Sequence, residues 1–142
     1  MTYTILAVLS RKPGLTPTQF KSYYETTHVP LVKEIAGSHP PTVYKRYYLP
    51  RAHIHGQGGI DDTNAGADAD TSNTAYPVTT ALAGNPSGLQ FDVYTEMVFE
   101  DENHFGSFQA ALEENSERVK ADEAAFLDTS RIHIVKIDGP FA

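Results

Sequence analysis

One residue constrains this chain more than any other. Pro30 sits inside residues 11–37, RKPGLTPTQFKSYYETTHVPLVKEIAG, which otherwise read as one long amphipathic helix. The helix start is fully signalled. Thr16 takes the N-cap position, Pro17 the first helical position, and Gln19 stands three residues after the cap. That is the capping-box pattern, in which each end hydrogen-bonds the other's free N–H. Leu15 and Phe20 occupy the positions of a hydrophobic staple. Phe20, Tyr23, Tyr24, Leu31 and Ile35 recur at helical spacing as one apolar stripe, and Gly37 offers a stop. Pro30 has no N–H and disfavours helical backbone at Val29, so a kink or break is predicted just after His28. His28 lies beside the apolar stripe. A titratable ring at a broken turn next to an apolar face is a candidate functional group. The same place also suits a partly buried histidine that hydrogen-bonds a carbonyl freed by Pro30.

The rest of the chain alternates short apolar runs with amphipathic ones. Residues 3–10, YTILAVLS, read as a strand buried on both faces. Residues 42–49, TVYKRYYL, have strand propensity, and Pro50 ends that strand or confines it to an edge. In the strand over 89–99, Phe91, Val93, Met97 and Phe99 alternate with Asp92, Tyr94, Glu96 and Val98. Asp101 is placed to cap a helix with Phe105, Phe108 and Leu112 on its inner face, and a further helix over about 116–127 buries Val119, Phe126 and Leu127. Residues 131–137 form the last strand, with His133, Val135 and Ile137 on one face and Ile132 and Ile134 on the other. This order predicts an α+β, ferredoxin-like β-α-β-β-α-β fold, with helices on one face of a four-stranded antiparallel sheet. The other face carries Tyr, Val, Ile and Met and needs a cover, which a second copy of the chain would provide as a homodimer. Length suits a single domain, 1–142, with a loop insertion at about 56–88. That insertion holds six of the ten glycines and four acidic residues. It reads equally as a lid, a dimer arm or a tolerated surface loop.

The residues RKPGLTPTQFKSYYETTHVPLV resemble the EthD family of small dimeric α+β barrel proteins, in their basic-Pro-Gly entry, Phe-x-x-Tyr core and His-x-Pro-Leu ending. FDVYTEMVFEDE, residues 91–102, is similar to that family's strand carrying an aromatic-Asp and a later Glu before an acidic helix start. With the final strand the likeness spans roughly two thirds of the chain, and it lapses between Gly56 and Gly88. The resemblance implies a dimeric barrel in which each subunit keeps its own pocket between sheet and helices. Its fungal aromatic-polyketide tailoring members imply a cofactor-independent lyase or cyclase that decarboxylates or dehydrates and aromatises a polyketide-derived compound. The alternatives it implies are a cofactor-free anthrone-type monooxygenase and a non-catalytic ligand-binding accessory protein.

Composition narrows the partners. The net charge is -7, and no Lys or Arg occurs between Arg51 and Arg118, which argues against a nucleic-acid partner. There is no apolar run of membrane-spanning length and no signal-peptide pattern, so a cytoplasmic protein without a membrane partner is expected. Without cysteine, neither disulfides nor thiolate metal sites arise. The chain lacks a dinucleotide-binding turn, a phosphate loop, an H-E-x-x-H helix and a nucleophile elbow. His53 and His55 suit either one face of a metal-binding strand or a polar strand end. No third ligand is placed beside them, so neither metal nor cofactor is expected. Acid–base chemistry remains. His28 and His133 are the candidate catalytic pair, the first to move a proton and the second to hold an oxygen. Tyr44, Tyr48 and Tyr94 are candidate donors to a phenolate or enolate; the resemblance implies that the compound bearing it is a small aromatic or polyketide substrate. Asp92 and Glu96 share a face with Tyr94 and suit orienting a histidine or serving as a base. Exposed strand-end carboxylates and ordinary aromatic packing explain these same residues.

Overall fold

The apolar strands pair into one antiparallel sheet in a computed structural model that describes residues 2–52, 78–86 and 89–141. Strands β1 (Tyr3–Leu9), β2 (Val43–Tyr48), β5 (Val93–Phe99) and β6 (His133–Ile137) lie in the order β2-β5-β1-β6. The helices are α1 (Pro17–Tyr23), α2 (Val29–Ala36), α3 (Glu102–Glu114) and α4 (Ser116–Phe126). Two short strands, β3 (Arg51–Ala52) and β4 (Val78–Thr79), pair with each other. The order and pairing are those of a ferredoxin-like α+β fold.

Register decides which side chains meet the helices, because directly paired residues share a face. Tyr3, Ile5, Ala7 and Leu9 pair with Phe99, Met97, Thr95 and Val93, and Tyr44, Arg46 and Tyr48 pair with Met97, Thr95 and Val93. This face packs on the helices in two clusters. One joins Leu9 and Val93 to Phe20, Tyr24 and Phe126; the other joins Ile5 and Phe99 to Val32 and Phe108. Asp101 caps α3 by accepting from the His104 N–H at 2.8 Å. The opposite face carries Leu6, Val8, Tyr47, Tyr94, Val98 and Val135, with Lys45 paired to Glu96. Among the described residues no helix covers it, and Val135 keeps 48% of its surface exposed.

The first helical stretch departs from expectation instructively. The capping box forms in full, with Thr16 Oγ1 accepting from the Gln19 N–H at 2.8 Å and Gln19 Oε1 from the Thr16 N–H at 3.0 Å. The chain then does not break after His28. Residues Tyr24–His28 form a wide π-helical turn, in which the Val29 N–H reaches back to the Tyr24 carbonyl, and α2 continues from it. Pro30 explains the location. In an unbroken α-helix its ring would press on the carbonyl four residues back and leave that carbonyl without a donor. After the wide turn Pro30 instead falls in the first turn of α2, where an N–H is not needed.

The turn inserts one residue into the helical repeat, and every later position rotates. Counting from Phe20 and Tyr24, an ideal helix would turn residues 27 and 31 to the core. Instead His28 and Val32 are buried, at 8% and 5% exposure, and Leu31 is only half-buried. The expected stripe is corrected accordingly: Val32 replaces Leu31, and His28 moves from the flank of the stripe into it.

The paired strands β3 and β4 flank the stretch that contains His53, His55 and most of the 56–88 insertion, which lie outside the described residues. Among the described residues no helix is long and apolar enough to cross a membrane.

If Pro30 causes the wide turn, deleting Thr27, an exposed member of it, restores the α-helical repeat but leaves Pro30 in a helix interior. That deletion should cost about 3 kcal/mol or more in denaturant unfolding, and adding Pro30→Ala should recover most of the loss. A double variant no more stable than the deletion alone would show that the turn has another cause.

Candidate active site

The extra residue in the helix turns His28 toward α4. Its Nδ1 lies 2.5 Å from Asp122 Oδ2, and both side chains are buried. The other carboxylate oxygen, Asp122 Oδ1, accepts from Tyr23 Oη at 2.7 Å. An acceptor at Nδ1 assigns the tautomer: Nδ1 carries the proton and donates, leaving the Nε2 lone pair for other chemistry. Nε2 has no hydrogen-bond partner among the described residues. Aromatic rings wall the imidazole. Tyr24 meets it edge-on at 5.0 Å, and Phe126, one turn beyond Asp122 on α4, lies at 4.9 Å.

Burial pushes the His28 pKa below its usual 6.5. Asp122 opposes that shift, the charge of Arg46 adds to it, and the net effect is a ring that stays neutral near neutral pH. Burial and the Asp122 carboxylate push Tyr23 up to about 12, and burial pushes Tyr24 to about 12 as well. Both phenols therefore remain hydrogen-bond donors. Tyr24 Oη shares a 2.6 Å hydrogen bond with Thr95 Oγ1, which anchors the wide turn to the middle of the sheet.

A second polar group lies beside the first. Glu25, on the wide turn, accepts from Arg46 Nε at 2.9 Å, Arg46 Nη2 at 2.7 Å and Tyr48 Oη at 2.6 Å. The guanidinium holds the Glu25 carboxyl below the usual carboxylate range. Arg46 also donates through Nη1 to the Tyr44 carbonyl at 2.6 Å and lies over the Tyr44 ring at 4.8 Å. Burial is the main cause raising the Tyr44 and Tyr48 phenols well above their usual 10. The Tyr44 hydroxyl is close enough to Tyr24 to influence its ionisation, yet no hydrogen bond of good geometry reaches it.

The residues singled out from sequence divide between two faces of the sheet. Tyr44 and Tyr48 lie on the helix face beside His28. His133, Tyr94 and Glu96 do not: they pair with Val8, Val8 and Leu6 on the open face, so His133 cannot form the wall opposite His28. The reason is period-two alternation. On β5 it is Thr95, not Tyr94 or Glu96, that turns inward. Asp92 is neither on that open face nor exposed. It precedes β5, is buried, and pairs with both Arg51 and Arg11, the latter at 3.3 Å through Nε; its Oδ2 also accepts from the Arg11 N–H at 2.8 Å. Among the described residues no group of three or more His, Asp or Glu side chains is placed to hold a metal.

Sequence reading missed Asp122, Tyr23, Glu25 and Arg46. Asp122 had a usable signal. It stands four residues before Phe126, already assigned to the inner face of its helix, and residues so spaced lie over one another. Arg46 alternates with Tyr44 and Tyr48 and so had to share their face.

Residues 12–130 match the EthD domain. No curated protein matches the chain. Among solved structures, an EthD-like protein from Ralstonia eutropha JMP134 is 16% identical with a TM-score of 0.54, the match covering 96% of this chain and 87% of that one. An ethyl tert-butyl ether D (EthD) family protein from Bacillus halodurans C-125 is 17% identical with a TM-score of 0.51, covering 99% and 100% of the two chains. At such identities the likeness concerns the fold.

The lowered His28 pKa carries a stability signature. As pH falls below about 6.5 the unfolded ring takes up its proton before the folded one does. Stability contributed by neutral, buried His28 is therefore complete above that value and lost on the acid side, down through the folded-state pKa. The difference in unfolding free energy between wild type and His28→Gln should change with pH in this window alone. A flat difference there would show that the imidazole is not held neutral.

Proposed function

The chain belongs to the EthD family, and from that premise we propose a cofactor-independent lyase or cyclase acting on a polyketide-derived aromatic or pre-aromatic compound in secondary metabolism. The observation that carries the reading is the buried His28–Asp122 pair, walled by Tyr24 and Phe126. A neutral imidazole, oriented by a carboxylate on Nδ1, is equipped as a general base at Nε2. The aromatic walls suit a flat, partly apolar molecule. In this reading His28 takes a proton from the carbon beside a carbonyl, Asp122 stabilises the imidazolium, and phenol donors hold the enolate oxygen. The imidazolium then returns the proton to a departing hydroxyl, which leaves as water. In the decarboxylation course no C–H bond is broken: the bond to the carboxylate breaks, its electron pair enters the enolate, and carbon dioxide leaves. The carbon then takes a proton that His28 relays from water. Neither course needs a cofactor. Residues 1–142 are read as one domain carrying an insertion at about 56–88. A homodimer is proposed through the open face, where apolar side chains on β1, β2, β5 and β6 have no helix over them among the described residues.

Turnover of β-polyketone and hydroxylated aromatic test compounds, measured with melting temperature on the same preparations, tests the reading. His28→Ala should lower turnover by about 100- to 10,000-fold with the fold intact, the usual cost of losing a general base. Asp122→Asn should lower it less and move the acid limb of the rate profile to lower pH, because Asp122 raises the His28 pKa. Activity should persist in EDTA. A fully active or unfolded His28→Ala protein makes the ring structural, and stoichiometric oxygen consumption would make the protein a monooxygenase.

For the assembly, sedimentation at micromolar concentration should give a dimer, whose interface would bury on the order of 1,600 Å². A stable monomer would overturn the proposed cover of the open face.

A further inference from the structure

The Glu25 carboxylate occupies a site that looks built for any carboxylate. Three donors converge on it: the two-pronged edge of Arg46 at 2.9 and 2.7 Å, and Tyr48 Oη at 2.6 Å. A guanidinium fork with a phenol beside it is a planar, bidentate receptor for a carboxylate. Arg46 is fixed without Glu25, since Nη1 is held by the Tyr44 carbonyl and the guanidinium lies over the Tyr44 ring. Lys21 adds a second cation, 5.3 Å from the centre of the Tyr48 ring. In a chain of net charge -7, moving Glu25 aside would leave the Arg46 fork and the Tyr48 phenol facing one point, with the Lys21 ammonium over the Tyr48 ring.

Glu25 is also the member best able to leave. Its side chain is 34% exposed, against 19% for Arg46. Ion pairs open to solvent to this degree are weakly held and exchange readily. The site adjoins the base: Glu25 lies three residues before His28 on the same wide turn, and the Tyr24 ring stands between them, 5.0 Å from the His28 ring and 6.0 Å from the Tyr48 ring.

We propose that Arg46 and Tyr48 form the carboxylate subsite of this protein, and that Glu25 is an internal stand-in which a substrate carboxylate displaces. The substrate class is then an aromatic or pre-aromatic acid, with its carboxylate on Arg46 and Tyr48 in the place of Glu25. This rests on the reading of His28 as the base only in treating the two groups as one site.

Calorimetric binding of 2,4-dihydroxybenzoate and of resorcinol, which lacks the carboxylate, tests it. Wild type should prefer the acid by about tenfold or more, the scale of one charge-assisted fork. Glu25→Gln should tighten the acid by a similar factor and leave resorcinol unchanged. Arg46→Gln should abolish the preference; should that protein fail to fold, Arg46→Lys, which keeps the charge and loses the fork, should remove most of it. Equal binding of the two probes, binding of neither, or an acid affinity indifferent to Glu25→Gln would each overturn the subsite. His28→Asn separates this from the catalytic reading: it should keep the preference for the acid, and if it also kept full turnover only the base assignment would fall.

Discussion

A single missing amide hydrogen organises this protein. Pro30 cannot donate to the carbonyl four residues before it, and the helix answers by widening one turn rather than breaking. The wide turn advances the repeat by one residue. That one residue carries Val32 into contact with Ile5 and Phe99, and His28 into contact with Phe126 and Asp122. The packing of α2 and the chemistry of His28 are thus two results of one backbone event. Neither is independently adjustable, because any shift of repeat that releases the histidine also withdraws Val32 from the core.

The two carboxylates near His28 show how burial divides labour. Asp122 is enclosed, and its two oxygens are each taken by one donor, from His28 and Tyr23. A buried carboxylate is tolerated only when so satisfied, and removing either partner leaves an unmet acceptor in a low-dielectric setting. Glu25 keeps contact with water, and the same number of oxygens takes three donors. The first arrangement fixes a tautomer; the second holds charge at the surface in an exchangeable form. Tyr24, whose ring neighbours both His28 and Tyr48, is anchored to the sheet through Thr95.

Much of the fold was legible because it depends on local rules. The capping box at Thr16, the cap at Asp101 and the alternation in each strand are short-range patterns, and the structure contains them. What was not legible is what depends on a count carried over distance. Proline announces a disturbance at His28, but whether a helix stops, bends or takes in an extra residue depends on the core it must rejoin. Reading Leu31 rather than Val32 as inward follows from assuming the repeat unbroken. The same limit applied to the site. Alternation separates His133 from its neighbours correctly, yet only the pairing of β6 with β1 says that its face is the one without helices. Asp122 is ninety-four residues from His28, and no local pattern joins them.

The Asp92 clamp has a bearing on how such a chain can change over generations. One buried carboxylate grips Arg11, at the exit of β1, and Arg51, at the start of the β3–β4 pair; Arg51 in turn donates to Thr79 on the returning strand. The segment between Ala52 and Val78 therefore departs and returns at adjacent points that are fastened to each other. Closing a loop between fixed ends grows costlier only with the logarithm of its length, about 0.6 kcal/mol per doubling. Insertions and deletions there leave the register of the main sheet untouched, and with it the helix face that holds His28. The clamp makes that segment a place where length and composition can vary while the helix face beneath keeps its packing.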